Sequence, residues 1–433
     1  MKRLIVAALA ASAACVSMFS AAAKPTPAMK EAAQVRALIE KVNGAWQRSH
    51  SPEVWAFWDQ AAYHTGNMEV YRLTGREDYA DYSLRWAEHN QWKGAKGDDR
   101  SRWRYDYGET DDHALFGDWQ ICFQTYADLY TMLPDDRRIA RAREVMEYEM
   151  STDRTDYWWW ADALYMAMPV MSKMYVATGD VKYLDKMYDN FTYADNLMYD
   201  KEDNLYFRDG KYIYPAHKTE AGKKDFWARG NGWVLAGLAK VIADMPASYA
   251  HRGVFVERFK SLAAGAVKCQ QADGYWTRSM LDPEQAEGRE TSGTALLAYG
   301  LMWGVNNGLL DRAAYEAPIA RAWQYLSTVA LQADGTVGYV QPIGEKAIKG
   351  QQLTAQNVTN FGTGAFLLAA CEKVRYDDGS VRPQDAKTFT VGVTNSTDRF
   401  RQEVVGFDAT QRNITYMKNG TVQFLIDQSP CLL

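Results

Sequence analysis

One unit recurs along the chain and leaves few folds open to it. Each copy starts at a glycine or an acid, runs as an apolar helix and ends in a turn. The first leads from Trp58-Asp59 through Tyr63-His64-Thr65-Gly66 to Leu73-Thr74-Gly75-Arg76, with a second helix over Tyr79 to Trp92. Asp118 opens ICFQTYADLYTML, which turns at Pro134-Asp135. Asp162 opens the apolar run Ala163 to Ala177, which stops at Thr178-Gly179-Asp180. Arg229-Gly230-Asn231-Gly232-Trp233, Thr291-Ser292-Gly293 and Asn360-Phe361-Gly362-Thr363-Gly364 open three more. Outer helices follow the first five, and Glu31 to Gln47, with Val35, Leu38, Ile39 and Val42 on one face, supplies the twelfth. Helix-pair repeats of roughly 45 to 60 residues make either an open solenoid or a closed toroid. Glycine at the helix starts lets neighbouring backbones approach and favours closure. The expected fold is all-α, an (α/α)6 barrel of six inner and six outer helices with the inner-helix starts around one mouth.

The loops after three outer helices are also alike: DNLYFR at 203–208, DGYWTR at 273–278 and DGTVGY at 334–339. Beyond the barrel, assigned to 24–376, residues 377–433 alternate like strands in KTFTVGVTN and EVVGFDATQ, with a turn at Asn419-Gly420 before VQFLI. This is a short β-like extension, either an appendage or the start of a truncated domain.

Residues 1–23 read as a signal peptide: Lys2-Arg3, an apolar run from Leu4 to Phe19, then Ala21-Ala22-Ala23. Export to the periplasm, or secretion, is expected. A lipoprotein site at Cys15 is disfavoured because the apolar run continues to Phe19. Cys122, Cys269, Cys371 and Cys431 are far apart, and the first three lie in helical patterns as small buried residues. No later stretch is apolar enough to span a membrane. The net charge is −5 with no basic stripe, which argues against nucleic acid. No metal-ligand, nucleophile-elbow, phosphate-loop or dinucleotide motif is present, so no cofactor or metal is expected. Oligomeric state stays open.

The 15 Trp and 27 Tyr exceed what a core requires and suit a sugar-binding cleft, with Trp58 and Trp160 beside helix starts. Asp118 and Asp162 open successive inner helices, so in a barrel both face one cleft. They either satisfy helix ends or form the carboxylate pair of a glycosidase. His217, in a loop ahead of Phe226-Trp227-Ala228-Arg229, and His64 are either inert or hold a proton or a substrate oxygen. Arg229, before a helix N-terminus, either bridges loops or makes an anion site.

At WADALYMAMPV, FWARGNGWV and FGTGAFLLA the chain resembles the unsaturated rhamnogalacturonyl hydrolases of glycoside hydrolase family 105, and more distantly the unsaturated glucuronyl hydrolases of family 88. The resemblance covers roughly residues 31–376. It implies Asp162 as catalytic acid/base and Asp118, or Asp112 upstream, as the second acid. It implies His217 and Arg229 as substrate-binding residues, with Arg229 anchoring the uronate, and Trp233 as cleft wall. The implied substrate is an unsaturated uronyl oligosaccharide from polysaccharide lyases, pectin-type, cleaved by hydration of its C4=C5 double bond. Two rivals are an inverting glycosidase acting on saturated sugars and a non-catalytic carbohydrate-binding barrel.

Overall fold

The computed structural model describes residues 26–379 and the segments 387–392, 414–416 and 421–426. In chain order the helices are α1 (Pro27–Ser49), α2 (Trp58–Thr74), α3 (Glu77–His89), α4 (Gly117–Gln120), α5 (Cys122–Met132), α6 (Arg137–Met150), α7 (Ala163–Met166), α8 (Met168–Thr178), α9 (Lys182–Met198), α10 (Ala228–Asp244), α11 (Arg252–Lys268), α12 (Thr291–Asn306), α13 (Arg312–Tyr325) and α14 (Asn360–Asp378). The inner ring runs α2, α5, α8, α10, α12, α14, and α14 packs back on α2. The outer layer is α3, α6, α9, α11 and α13, completed by α1 against α14. This is the expected barrel.

Glycine closes the ring. A Cβ on Gly66 of α2 would lie 2.4 Å from the Gly364 carbonyl oxygen, and one on Gly364 of α14 would lie 2.4 Å from that of Ala62. First and last inner helices therefore meet backbone to backbone, at a separation any side chain would forbid. Hairpin turns use the left-handed region: Gly75 (φ 67°) and Gly179 (φ 74°) each donate a backbone N–H to the carbonyl four residues back.

Two inner helices are broken near the mouth, a departure from the continuous run expected over Ala163–Ala177. Pro169 has no N–H to give the Tyr165 carbonyl, so the helix divides into α7 and α8. That carbonyl instead accepts from Gln124 Nε2 of α5 at 2.6 Å. The second inner helix divides into α4 and α5 at Ile121.

The three similar loops do one job. The carbonyls of Arg208, Tyr339 and Arg278 accept from the backbone N–H of Ala161, Thr291 and Ala228 at 2.7, 2.9 and 3.0 Å, each tying a loop to the inner helix of its own hairpin. Asn204, Gly274 and Gly335, equivalent in the three sequences, all have positive φ.

A two-residue hairpin pairs β1 (Tyr199–Asp200) with β2 (Leu205–Tyr206). In the C-terminal extension, β3 (Lys387–Gly392), β4 (Ile414–Tyr416) and β5 (Thr421–Ile426) form an antiparallel sheet in the order β3-β5-β4. The leader at 1–23, Cys15, Cys431 and the segment EVVGFDATQ lie outside the described residues. Cys122, Cys269 and Cys371 are buried. No helix of the described residues is long and apolar enough to cross a membrane.

Candidate active site

Asp162 occupies the N-cap position of α7 but does not cap it. Its backbone is already helical, its carbonyl accepts from the N–H of Tyr165 and Met166, and its side chain makes no cap bond. The carboxylate is thereby left for other work. It is buried, and Oδ2 has no hydrogen-bond partner. The nearest cation is Arg208, whose Nε stands 3.6 Å away and is itself unpartnered. Burial raises the Asp162 pKa, while Arg208 and Arg229 oppose the rise.

Asp118 lies in the first turn of α4, the neighbouring inner-helix start, and is also buried. Burial comes first, and the charge of Asp162 second, in pushing its pKa well above the carboxylate range. The two acids therefore share one electrostatic environment at the mouth. Burial disfavours ionisation of both, and the charge of Asp162 disfavours it further at Asp118. Arg208 opposes the rise at both acids, and Arg229 opposes it at Asp162. Asp112, the alternative second acid, instead pairs with Arg102 at 2.5 Å on an outer loop.

Arg208 was not among the residues singled out from sequence. The signal was present: DNLYFR and DGYWTR both end in arginine at the position whose carbonyl holds an inner-helix start. Its Nη1 donates to Asp209 Oδ2 at 2.6 Å and lies 3.4 Å from Glu345 Oε2, and its guanidinium sits 6.0 Å from the Trp159 ring centre.

Arg229 differs from the expectation of an open anion site. It is 1% exposed. Nη1 donates to the Gln341 carbonyl (2.6 Å) and Nη2 to that of Pro342 (3.0 Å). The guanidinium lies between the rings of Trp227 and Phe361. Burial pushes its pKa down to about 10, with Glu290 and Asp162 opposing. Arg229 thus clamps the loop 341–344 over the mouth, and Glu290 helps by accepting from the Gln341 N–H at 3.1 Å.

Other expectations also need correction. His64 points away from the mouth: its ring stacks on Trp86 of α3 at 3.9 Å and Nδ1 bonds Ser83 Oγ at 2.9 Å. Burial holds its pKa well below the usual value, so it is a neutral core histidine. Trp160 and Trp233 are each 1% exposed, too buried to offer a face to a sugar. Trp160 packs on Phe116 and Trp159, and Trp233 on Tyr165, so both build the wall from behind. Trp58 is covered by Phe361 beside Asp59. His217 is tied to Asp225 at 3.1 Å and meets the edge of Tyr212, whose hydroxyl donates to Glu345 at 2.7 Å. It touches neither acid; its contacts lead through Tyr212 and Glu345 to Arg208.

Next to the mouth, a cleft of about 500 Å³ opens between Trp55, Lys96, Glu109 and Trp119. Trp55 is 43% exposed there, and the charge of Glu109 is felt by Asp118. Such a cleft presents an aromatic face beside polar and charged groups. Elsewhere, three clustered acids, Asp200, Glu202 and Asp203, surround the Lys224 ammonium at 2.9, 2.7 and 2.8 Å.

Comparison with known proteins places the chain in a family. The family described as Glycosyl Hydrolase Family 88 matches residues 32–377. An "Unsaturated 3S-rhamnoglycuronyl hydrolase" of Formosa agariphila is 34% identical over 358 residues, 77% of this chain and 89% of that protein. Among solved structures, a glycosyl hydrolase family 88 protein from Bacteroides vulgatus is 56% identical (TM-score 0.79), covering 80% of this chain and 99% of that one. Another, titled a polysaccharide lyase, is 62% identical (TM-score 0.78), covering 80% and 98%.

Proposed function

The chain belongs to glycosyl hydrolase family 88 and is thereby a glycoside hydrolase; on that premise we propose that it removes the Δ4,5-unsaturated uronic acid from the non-reducing end of lyase-generated, pectin-type oligosaccharides. The observation that carries the reading is the acid pair. Asp162 and Asp118 are buried at adjacent inner-helix starts, Asp162 makes no cap bond, and its unpartnered oxygen faces a cation. In this reading Asp162 gives its proton to C4 of the enol ether, and the ring oxygen stabilises the cation left at C5. The Asp162 anion then takes a proton from water as its oxygen bonds C5. The resulting hemiketal opens at the C5–ring oxygen bond to a ketone. The hemiacetal exposed at C1 releases the aglycone. One carboxylate serves as acid and then as base, so the spacing rule for paired carboxylates does not apply. The leader read over 1–23 supports action outside the cytoplasm.

The relative titled a lyase favours a second reading, in which the double bond is made rather than consumed. One assay separates the two: ultraviolet absorbance of the conjugated double bond, followed with wild type and Asp162→Asn on unsaturated and saturated disaccharides. Absorbance falling on the unsaturated sugar with wild type alone supports hydration. Absorbance rising on a saturated uronate chain supports the lyase. Cleavage of a saturated disaccharide at constant absorbance supports the conventional glycosidase. Near-normal turnover by Asp162→Asn removes that residue from the mechanism.

A further inference from the structure

We propose that Arg208 recognises the substrate's carboxylate and that Glu345 holds that place in the free protein. This rests on the unsaturated-uronate reading and goes beyond it, by moving the anchor away from Arg229. The donors decide between the two arginines. Both Arg229 terminal nitrogens are given to backbone carbonyls of 341–342, and the residue is almost wholly buried. Arg208 borders Asp162, its Nε has no partner, and its contact with Glu345 is a loose 3.4 Å.

Glu345 is suited to yield. It follows Gly344 on the clamped loop and its side chain is 42% exposed. It also has partners to keep once it leaves Arg208: the Tyr212 hydroxyl at 2.7 Å and the Lys211 ammonium at 3.2 Å. Asp209 cannot yield in the same way, because it is buried and also accepts from the Lys211 N–H at 2.7 Å. A planar carboxylate matches the guanidinium fork, and Trp159 lies within reach of the sugar that carries it.

The charges around the acid make this exchange useful. Asp162 is faced by Arg208 and Asp209 on the loop, Arg229 on α10 and Asp118 on α4; Glu345 and Lys211 stand behind Arg208. A uronate that occupies Arg208 withdraws the cation favouring the Asp162 anion and adds a negative charge. Both effects favour protonated Asp162, the form the reaction needs.

The test compares an unsaturated uronyl disaccharide with its methyl ester. Loss of one charge-assisted hydrogen-bonding partner predicts that Arg208→Gln raises KM for the acid about 10- to 100-fold while the ester KM changes less than about threefold. Glu345→Gln should lower KM for the acid only. Equal losses on both substrates for Arg208→Gln, or a Glu345→Gln acid KM that stays put or rises, overturns the proposal. If Arg208→Gln fails to fold in a thermal melt, the Glu345→Gln result decides alone. If wild type consumes neither sugar, the substrate reading fails first. Calorimetry with free hexuronate, wild type against Arg208→Gln, then still decides the carboxylate role: equal binding refutes it, and weaker binding by the variant supports it.

Discussion

Replacing Gly237 by alanine should damage stability and catalysis together, through a single contact. Gly237 lies on α10, two turns below Arg229, where that helix crosses α7. A Cβ there would stand 1.9 Å from the Leu164 carbonyl oxygen and 2.8 Å from its carbon, against ordinary contacts of 3.4–4 Å. The backbones must part by roughly 1.5 Å, since overlap of that depth cannot be absorbed by rotamers. Short α7, cut off by the break before Pro169, gives way more easily than the seventeen-residue α10. Leu164 is two residues from Asp162, and the Asp162 carbonyl is bonded into the same turn, so the displacement reaches the acid. Overpacking of this kind costs about 1–3 kcal/mol, and misplacing a reacting group by about 1 Å costs about 100-fold in rate. Thermal unfolding by circular dichroism and the initial rate on the unsaturated disaccharide measure the two losses. Gly253→Ala in the first turn of α11, where nothing lies within 4 Å, is the control and should leave stability unchanged or raise it by less than about 1 kcal/mol. A Gly237→Ala protein with wild-type melting and rate would refute the α7–α10 packing and the account of Asp162 built on it.

Three further outcomes are expected. Asp118→Asn leaves Asp162 to titrate beside a neutral amide instead of a coupled acid; activity requires protonated Asp162, so the basic limb of the kcat/KM profile should move to lower pH, and an unmoved limb contradicts the coupling of the two acids. Glu149 is buried and pushed up to about 8, so the fold holds its proton more tightly than the unfolded chain does, and stability falls as pH rises from about 4.5 to about 8. Asn190 Nδ2 now donates to Glu149 Oε2 at 3.4 Å; Glu149→Gln keeps an acceptor for Gln120 and, once the Asn190 amide turns over, donates to its unpartnered Oδ1, so melts at several pH values should show a flatter slope across that window, with the largest gain at its top. Arg229→Lys cannot bridge two carbonyls with a planar fork, so trypsin should cut more quickly at Lys346 or Lys349, and an unchanged digestion pattern would deny the clamp.

The barrel was legible because its causes are local and repeated. A glycine that must admit a neighbouring backbone appears in the sequence as glycine, as at Gly66 and Gly364. Turn glycines show themselves equally directly, as at Gly75 and Gly179. The carboxylates were legible because helix starts converge at one mouth. The family resemblance placed family 105 first and family 88 second, whereas the match found is to family 88. Less legible was which aromatic or cation faces the cleft. Trp160 and Trp233 sit at the expected positions yet turn inward, and His64 shares its helix with Asp59 but faces α3.

The sequence by itself determined the number of hairpins, the closed ring, the two acids and their common end, because periodicity and chain order dictate which helix starts become neighbours. Only the tertiary structure decided that Arg229 is spent on loop carbonyls while Arg208 stands beside Asp162. The direction of a side chain and the identity of its partner depend on loops distant in sequence, here 203–208 and 341–345, which meet over the mouth only once the barrel has closed.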